Sequence, residues 1–209
     1  NHFGNQGEKG MTDTFKILKD SGIEYIGAGN NFSEAHTGKI IKKNSVRFGF
    51  LAYAYPTDLY IASSSTPGIA NMDIAAMKKD IAQLKKSVDV VVVEMHAGVE
   101  YTNLPNAQQK NFARQAIDAG ADLVVGHHPH WAQIVEIYSP RGITSSQEEV
   151  TASSGIPRGK GKPILYSLGN LVFDQMWSME TRQGAIVVAY FKDKKLAGFK
   201  IIPIRIDDY

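Results

Sequence analysis

Two apolar runs in the middle of the chain end in the same way. Residues 88–94 read V-D-V-V-V-V-E and lead through Met95 to His96, Ala97 and Gly98. Residues 123–125 read L-V-V and lead through Gly126 to His127, His128 and His130. A short β-branched run is the signature of a strand buried on both faces, which a sheet acquires when helices cover it. The patterns between and around them supply such helices. Asp73 is expected to cap a helix over 73–86, with Ile74, Met77, Ile81 and Leu84 on one face and lysines on the other. Asn106 is expected to cap a second one after Pro105, with Phe112, Ala113, Ala116 and Ile117 turned inward and Gly120 as its stop. Helices alternating with buried strands predict an α/β fold, with β-structure dominating the end of the chain and the sheets partly parallel and partly antiparallel.

The histidines sit where such folds build their sites, at the carboxyl ends of strands. Half of the six histidines lie in the four residues 127–130, with Gly126 read as the turn that ends the strand and Pro129 as the stiffener. Neutral imidazole is the commonest nitrogen ligand for borderline metals such as Zn, Fe or Ni. A polar surface loop that happens to hold three histidines is the plainer reading, and a single histidine would favour it. The concentration after a buried strand favours metal. Glu94 and Glu100 flank His96, and Glu100 reads equally as a partner orienting a ligand imidazole or as a solvated charge. His36, with no glycine-rich junction beside it, reads as a surface or helix-end histidine.

The rest of the chain predicts less distinctive elements. The opening N-H-F-G-N-Q-G reads as a loop, with Thr12 or Asp13 capping a helix that carries Phe15, Ile17 and Leu18 to a stop at Gly22. Strands are expected at 23–26, 46–53, 131–138 and 163–167, one helical turn at 33–36, loops at 55–70 and 139–161, and a hairpin of 185–191 with 196–206. The 209 residues suffice for one domain with its own core. A net charge of +2 implies no nucleic-acid partner, and the absence of cysteine excludes disulfides, thiolate zinc sites and cysteine nucleophiles. No apolar run approaches a membrane-spanning length.

Five segments in order carry a resemblance: N-H-x-x-N-x-G-x-x-G from Asn1, G-A-G-N-N-x-x-E-A from Gly27, H-A-G-V-E-Y-x-x-x-P from His96, G-A-D-L-V-V-G-H-H-P-H from Gly120, and Y-S-L-G-N-L-V-F-D from Tyr166. The chain resembles the poly-γ-glutamate capsule-biosynthesis (CapA-type) family, which is similar to calcineurin-like metallophosphoesterases. The resemblance implies a layered metallophosphoesterase-like sandwich with mixed sheets. It implies one domain over 1–209 that lacks its N-terminal, aspartate-bearing strands, with an upstream segment or another chain completing the sheet. It implies that Asn1, His96, His128 and His130 are ligands of divalent ions, two of them, Mn, Fe or Zn. His2 would be the catalytic imidazole, His127 would vary in role, and Asn170 and Asp174 would shape the site. The family pattern places an aspartate three residues after the Asn-His pair, where this chain has Asn5. The implied function is a metal-dependent hydrolase of capsule or poly-γ-glutamate biosynthesis, acting on a phosphoester or an anionic polymer. The alternative is a non-catalytic accessory protein that binds the anionic polymer in a capsule synthesis or export complex. Either implies an extracytoplasmic or membrane-associated place at the cell surface.

Overall fold

The computed structural model of the protein describes residues 1–55, 60–140 and 161–207. The chain divides into two units, Asn1–His96 and Ala97–Tyr209. Three helices in the first unit and one in the second accompany strands paired both parallel and antiparallel, so the α/β class with mixed sheets is the one observed.

In the first unit the ladder is built on β3 (Val46–Ala54) and β5 (Val90–His96), which run parallel from Phe48 opposite Val90 to Ala54 opposite His96. Parallel neighbours need a crossover, and α3 (Ile74–Leu84) supplies it. Asp73 caps that helix by accepting a hydrogen bond from the Ala76 N–H, and Met77, Ile81 and Leu84 are its buried face. The four consecutive valines of β5 are all buried, as their unbroken apolar run requires. β2 (Lys39–Lys43) pairs antiparallel with the other side of β3 through the two-residue turn Asn44-Ser45. Both turn residues have positive φ, the backbone that matches the twist of a tight hairpin. No strand was expected in K-I-I-K-K, because neither of its faces is uniformly apolar. It is an outer strand guarded by lysines, a common protection against edge-to-edge pairing.

Two expectations fail in this unit, and a third holds only in part. The first helix, α1 (Gly7–Asp20), begins inside the segment read as a loop, and Thr12 and Asp13 lie within it instead of capping it. Its glycines are poor helix formers, but Met11 and Phe15, four residues apart, are buried, and the Phe15 ring stacks on Tyr25 at 5.1 Å. Packing thus overrides propensity. Ile17, read as part of the buried face, is 64% exposed. Residues 23–26 are irregular chain. The extended segment there is β1 (Ala28–Gly29), paired with β4 (Gly68–Ile69) from the long loop, whose residues 56–59 lie outside the described set.

The third correction is His36. It does end a helical turn, α2 (Phe32–Ala35), but it is not on the surface, being only 8% exposed. Its Nδ1 meets Asp80 Oδ2 at 2.7 Å, the Tyr53 hydroxyl donates to the same oxygen at 2.8 Å, and Phe32 stacks on the ring at 4.0 Å. The polar ring can be buried because the half-buried Asp80 of α3 satisfies its Nδ1, with the buried Tyr53 of β3 bonded to the same carboxylate. Burial, with the Asp80 charge beside it, pushes the Tyr53 hydroxyl far above the usual phenol range.

In the second unit, β6 (Leu123–His127) runs parallel to β8 (Lys162–Leu165), and β7 (Val135–Tyr138) pairs antiparallel with the far side of β8. Helix α4 (Ala107–Ala119) opens with a reciprocal cap between Asn106 and Gln109 and stops at Gly120, whose φ of 116° suits only glycine. Its buried residues include the four expected: Phe112, Ala113, Ala116 and Ile117. The strand expected over 131–138 is regular only over β7; residues 132–134 continue irregularly beside 166–168, with an antiparallel bridge of Ala132 to Leu168 and the Gln133 N–H donating to the Ser167 carbonyl at 3.0 Å. β9 (Gln183–Lys192) and β10 (Lys195–Arg205) form the expected hairpin, turning at Asp193 and Lys194, both with positive φ. Most of the loop expected at 139–161 lies outside the described residues. No helix among the described residues is long and apolar enough to cross a membrane.

Candidate functional site

Strand β5 delivers His96 at its last position, where its carbonyl still accepts from the Tyr55 N–H at 2.9 Å. The side chain of Asn1 comes to meet it. Asn1 Oδ1 lies 2.9 Å from His96 Nε2, across 95 residues of sequence. Two of the residues expected to ligate metal are therefore in contact in the first unit. His2 is exposed, and the amide nitrogen of Asn5 lies 3.1 Å from its Nδ1. The residue standing where the family pattern has aspartate thus orients the imidazole without supplying a negative charge. Sequence reading alone takes Asn5 as a loss, whereas the structure shows a substitute contact.

In the second unit the histidine loop is held from two sides. The Ala97 N–H donates to the His127 carbonyl at 3.0 Å, and the Tyr101 N–H donates to the Pro129 carbonyl at 2.8 Å. The 97–105 loop is itself braced by a buried amide pair. Gln109 Nε2 donates to Gln133 Oε1 at 3.0 Å, and Gln133 Nε2 donates to the Thr102 carbonyl at 3.0 Å. Gly126 does not end the strand as expected. It lies buried within β6, and a Cβ there would stand 2.0 Å from the Tyr166 carbonyl oxygen, so the glycine allows close approach instead of a turn. The turn comes at His128 and His130, with φ of 102° and 60°. Non-glycine residues in this region are strained by about 1–3 kcal/mol each and persist only where surroundings over-determine them.

His127, His128 and His130 are all half-buried. His130 Nδ1 meets Asn170 Oδ1 at 2.9 Å, and its ring lies between Tyr101, stacked at 5.9 Å, and Phe173, tilted at 5.1 Å. The signal for Asn170 was present in L-G-N, but nothing in the sequence says which side chain it would touch. Asp174, by contrast, is exposed.

The donor atoms suit the expected metals: an amide oxygen and imidazole nitrogens match Mn, Fe or Zn. Two donors at right angles on one octahedral ion at ~2.1 Å lie ~3.0 Å apart. The 2.9 Å between Asn1 Oδ1 and His96 Nε2 fits that spacing as well as it fits a hydrogen bond. Among the described residues, no three His, Cys, Asp or Glu side chains form a group that would hold an ion. What is observed is one pair of suitable donors, Asn1 Oδ1 and His96 Nε2.

Comparison with known proteins adds an independent line. Residues 1–175 match the family model described as bacterial capsule synthesis protein PGA_cap. The chain is 34% identical over 216 residues to capsule biosynthesis protein CapA of Bacillus anthracis, covering all of this chain and 46% of that protein. It is 35% identical over 213 residues to PGA biosynthesis protein CapA of Bacillus subtilis, covering all of this chain and 50% of that one. The chain therefore spans about half the length of these relatives. Among solved structures it is similar to the NAD nucleotidase of Haemophilus influenzae, with a TM-score of 0.57 at 14% identity, covering 99% of this chain and 34% of that one. That likeness is one of fold, and it agrees with a metallophosphoesterase-like layered α/β architecture.

Proposed function

The chain belongs to the PGA_cap family of bacterial capsule synthesis proteins, and from that premise we propose that it carries a metal-dependent hydrolase site of the metallophosphoesterase type. The observation that supports this most is the Asn1–His96 pair, two motif residues from opposite ends of one unit brought to 2.9 Å at a strand end. The proposed ligands are Asn1 and His96 in the first unit and His128 and His130 in the second. The ions they would hold, two of Mn, Fe or Zn, would supply an activated water and charge neutralisation. The proposed substrate is a phosphoester or an anionic γ-glutamyl polymer, handled at the cell surface or membrane in capsule synthesis.

This chain's own groups then have distinct tasks. The Asn5 amide N–H donates to His2 Nδ1, so in the neutral ring the proton sits on Nε2. From there the neutral ring would donate a hydrogen bond to charge developing on the substrate; giving up a whole proton would require the imidazolium, with Asn5 turned to offer its Oδ1 to Nδ1. The strained backbone at His128 and His130 holds imidazoles where relaxed chain would not. Asn1 and His96 fix each other's direction.

The test is an assay of the full protein loaded with Mn²⁺ against a chromogenic phosphoester and a γ-glutamyl amide. Turnover that is lost on chelation and restored by Mn²⁺ is expected with one of the two. Tight binding of poly-γ-glutamate with no turnover of either substrate would replace this reading with that of a non-catalytic accessory protein.

A further inference from the structure

We propose that Asn170 is the positioning residue of His130, locking the imidazole with its proton on Nδ1 and its lone pair on Nε2. The inference follows from which groups can donate. Asn170 is 7% exposed, and its Nδ2 donates to the Thr181 carbonyl at 2.9 Å and to Gln175 Oε1 at 3.3 Å. A backbone carbonyl only accepts, so the amide cannot be turned over without setting two oxygens against each other. Oδ1 therefore faces His130 and must accept from Nδ1 at 2.9 Å. Nδ1 must carry a proton. In the neutral ring that leaves Nε2 bare, which is the form an imidazole needs to bind a cation or accept a proton.

The amide is itself held on a frame that has no regular secondary structure. The Thr181 hydroxyl donates to the Gln175 carbonyl at 2.7 Å, and Gln175 Nε2 reaches the Tyr101 hydroxyl at 3.3 Å. Thr181 and Gln175 are both buried. Tyr101 in turn stacks on the His130 ring, so one network sets both the direction of the ring and its protonated atom. This gives a task to the Y-S-L-G-N segment and to the residues after it. It deepens the hydrolase reading only in suggesting what Nε2 is for; the tautomer itself does not depend on that reading.

The experiment is long-range ¹H–¹⁵N NMR of the metal-free full protein labelled at histidine, with His130 assigned by a His130→Gln variant. His130 is expected to show a protonated Nδ1 and an unprotonated Nε2, the reverse of the form favoured by a free side chain in water. Asn170→Ala should move the proton to Nε2 and weaken Mn²⁺ binding ~10–100-fold. Asn170→Asp, which keeps the accepting oxygen, should retain the Nδ1–H form. A wild-type ring protonated on Nε2 would overturn the inference whatever the variants do, and so would a folded Asn170→Ala protein with an unchanged tautomer. If Asn170→Ala does not fold, the wild-type and Asn170→Asp spectra decide. An Nδ1–H ring in a protein without metal-dependent turnover would uphold this inference and defeat the hydrolase reading; turnover with an Nε2–H ring would do the opposite.

Discussion

Above about pH 10 the folded protein is expected to lose stability steeply, and two buried tyrosines are expected to account for the slope. Tyr53 is held high by burial first and by the adjoining Asp80 charge and hydrogen bond second. Tyr166 is held high by burial and then by Glu136, to which its hydroxyl donates at 2.5 Å, with Arg114 opposing. In both, the folded value lies above the unfolded one. Below pH 10 both states are protonated and the stability from these groups is fully present. Above it the unfolded chain releases its phenolic protons while the folded chain keeps them, so the unfolded state gains. Each tyrosine then contributes a loss approaching ~1.4 kcal/mol per pH unit. Urea unfolding midpoints at pH 8, 9.5 and 11 should show the fall in wild type. Tyr53→Phe should flatten the slope for the first unit and Tyr166→Phe for the second, each at a cost of ~1–2 kcal/mol at neutral pH for the lost hydrogen bond. An alkaline slope that is the same in wild type and in both phenylalanine variants would show that these hydroxyls are not what titrates.

His128→Ala and His2→Ala should separate metal binding from chemistry. In the proposal His128 is a ligand, so its loss should lower bound Mn²⁺ and turnover together. His2 is an acid or charge stabiliser and no ligand, so its loss should leave metal bound while turnover falls ~10²-fold or more. The His2 contact with Asn5 sharpens the comparison. Asn5→Asp supplies the acid that the family pattern places there, and it should raise the fraction of protonated ring and shift the pH dependence of turnover to higher pH. Metal content measured by plasma mass spectrometry, beside initial rates, checks all three. Equal loss of metal in His2→Ala and His128→Ala would make His2 a ligand and the assigned division of roles wrong.

What the residues disclose in advance depends on how local the physics is. The helix at 107–119 is legible to the residue because Asn106, Gln109 and Gly120 carry its start and stop within its own sequence. The run of valines in β5 declares burial by itself. The helix at 7–20 is misread because it depends on Phe15 meeting Tyr25, a contact that no local pattern encodes. His36 does stand at a helix end, one of the two places expected, but its burial is missed for the same reason, since Asp80 is 44 residues away. At the site, residue types and motif order single out Asn1, His96 and the histidine loop, and the structure brings Asn1 to His96 and Asn170 to His130. Gly126 shows the limit from the other side: the need for glycine is readable, but the neighbour that creates it, the Tyr166 carbonyl, is not.

The proposal that this fold holds metal is tested most directly by crystals of the full protein grown with saturating Mn²⁺ and measured for anomalous scattering. A manganese peak is expected within ~2.0–2.2 Å of both Asn1 Oδ1 and His96 Nε2, the pair's 2.9 Å separation then being that of adjacent ligands. Asn1 and His96 hydrogen-bonded to each other, with no anomalous peak beside either under saturating Mn²⁺, would contradict it.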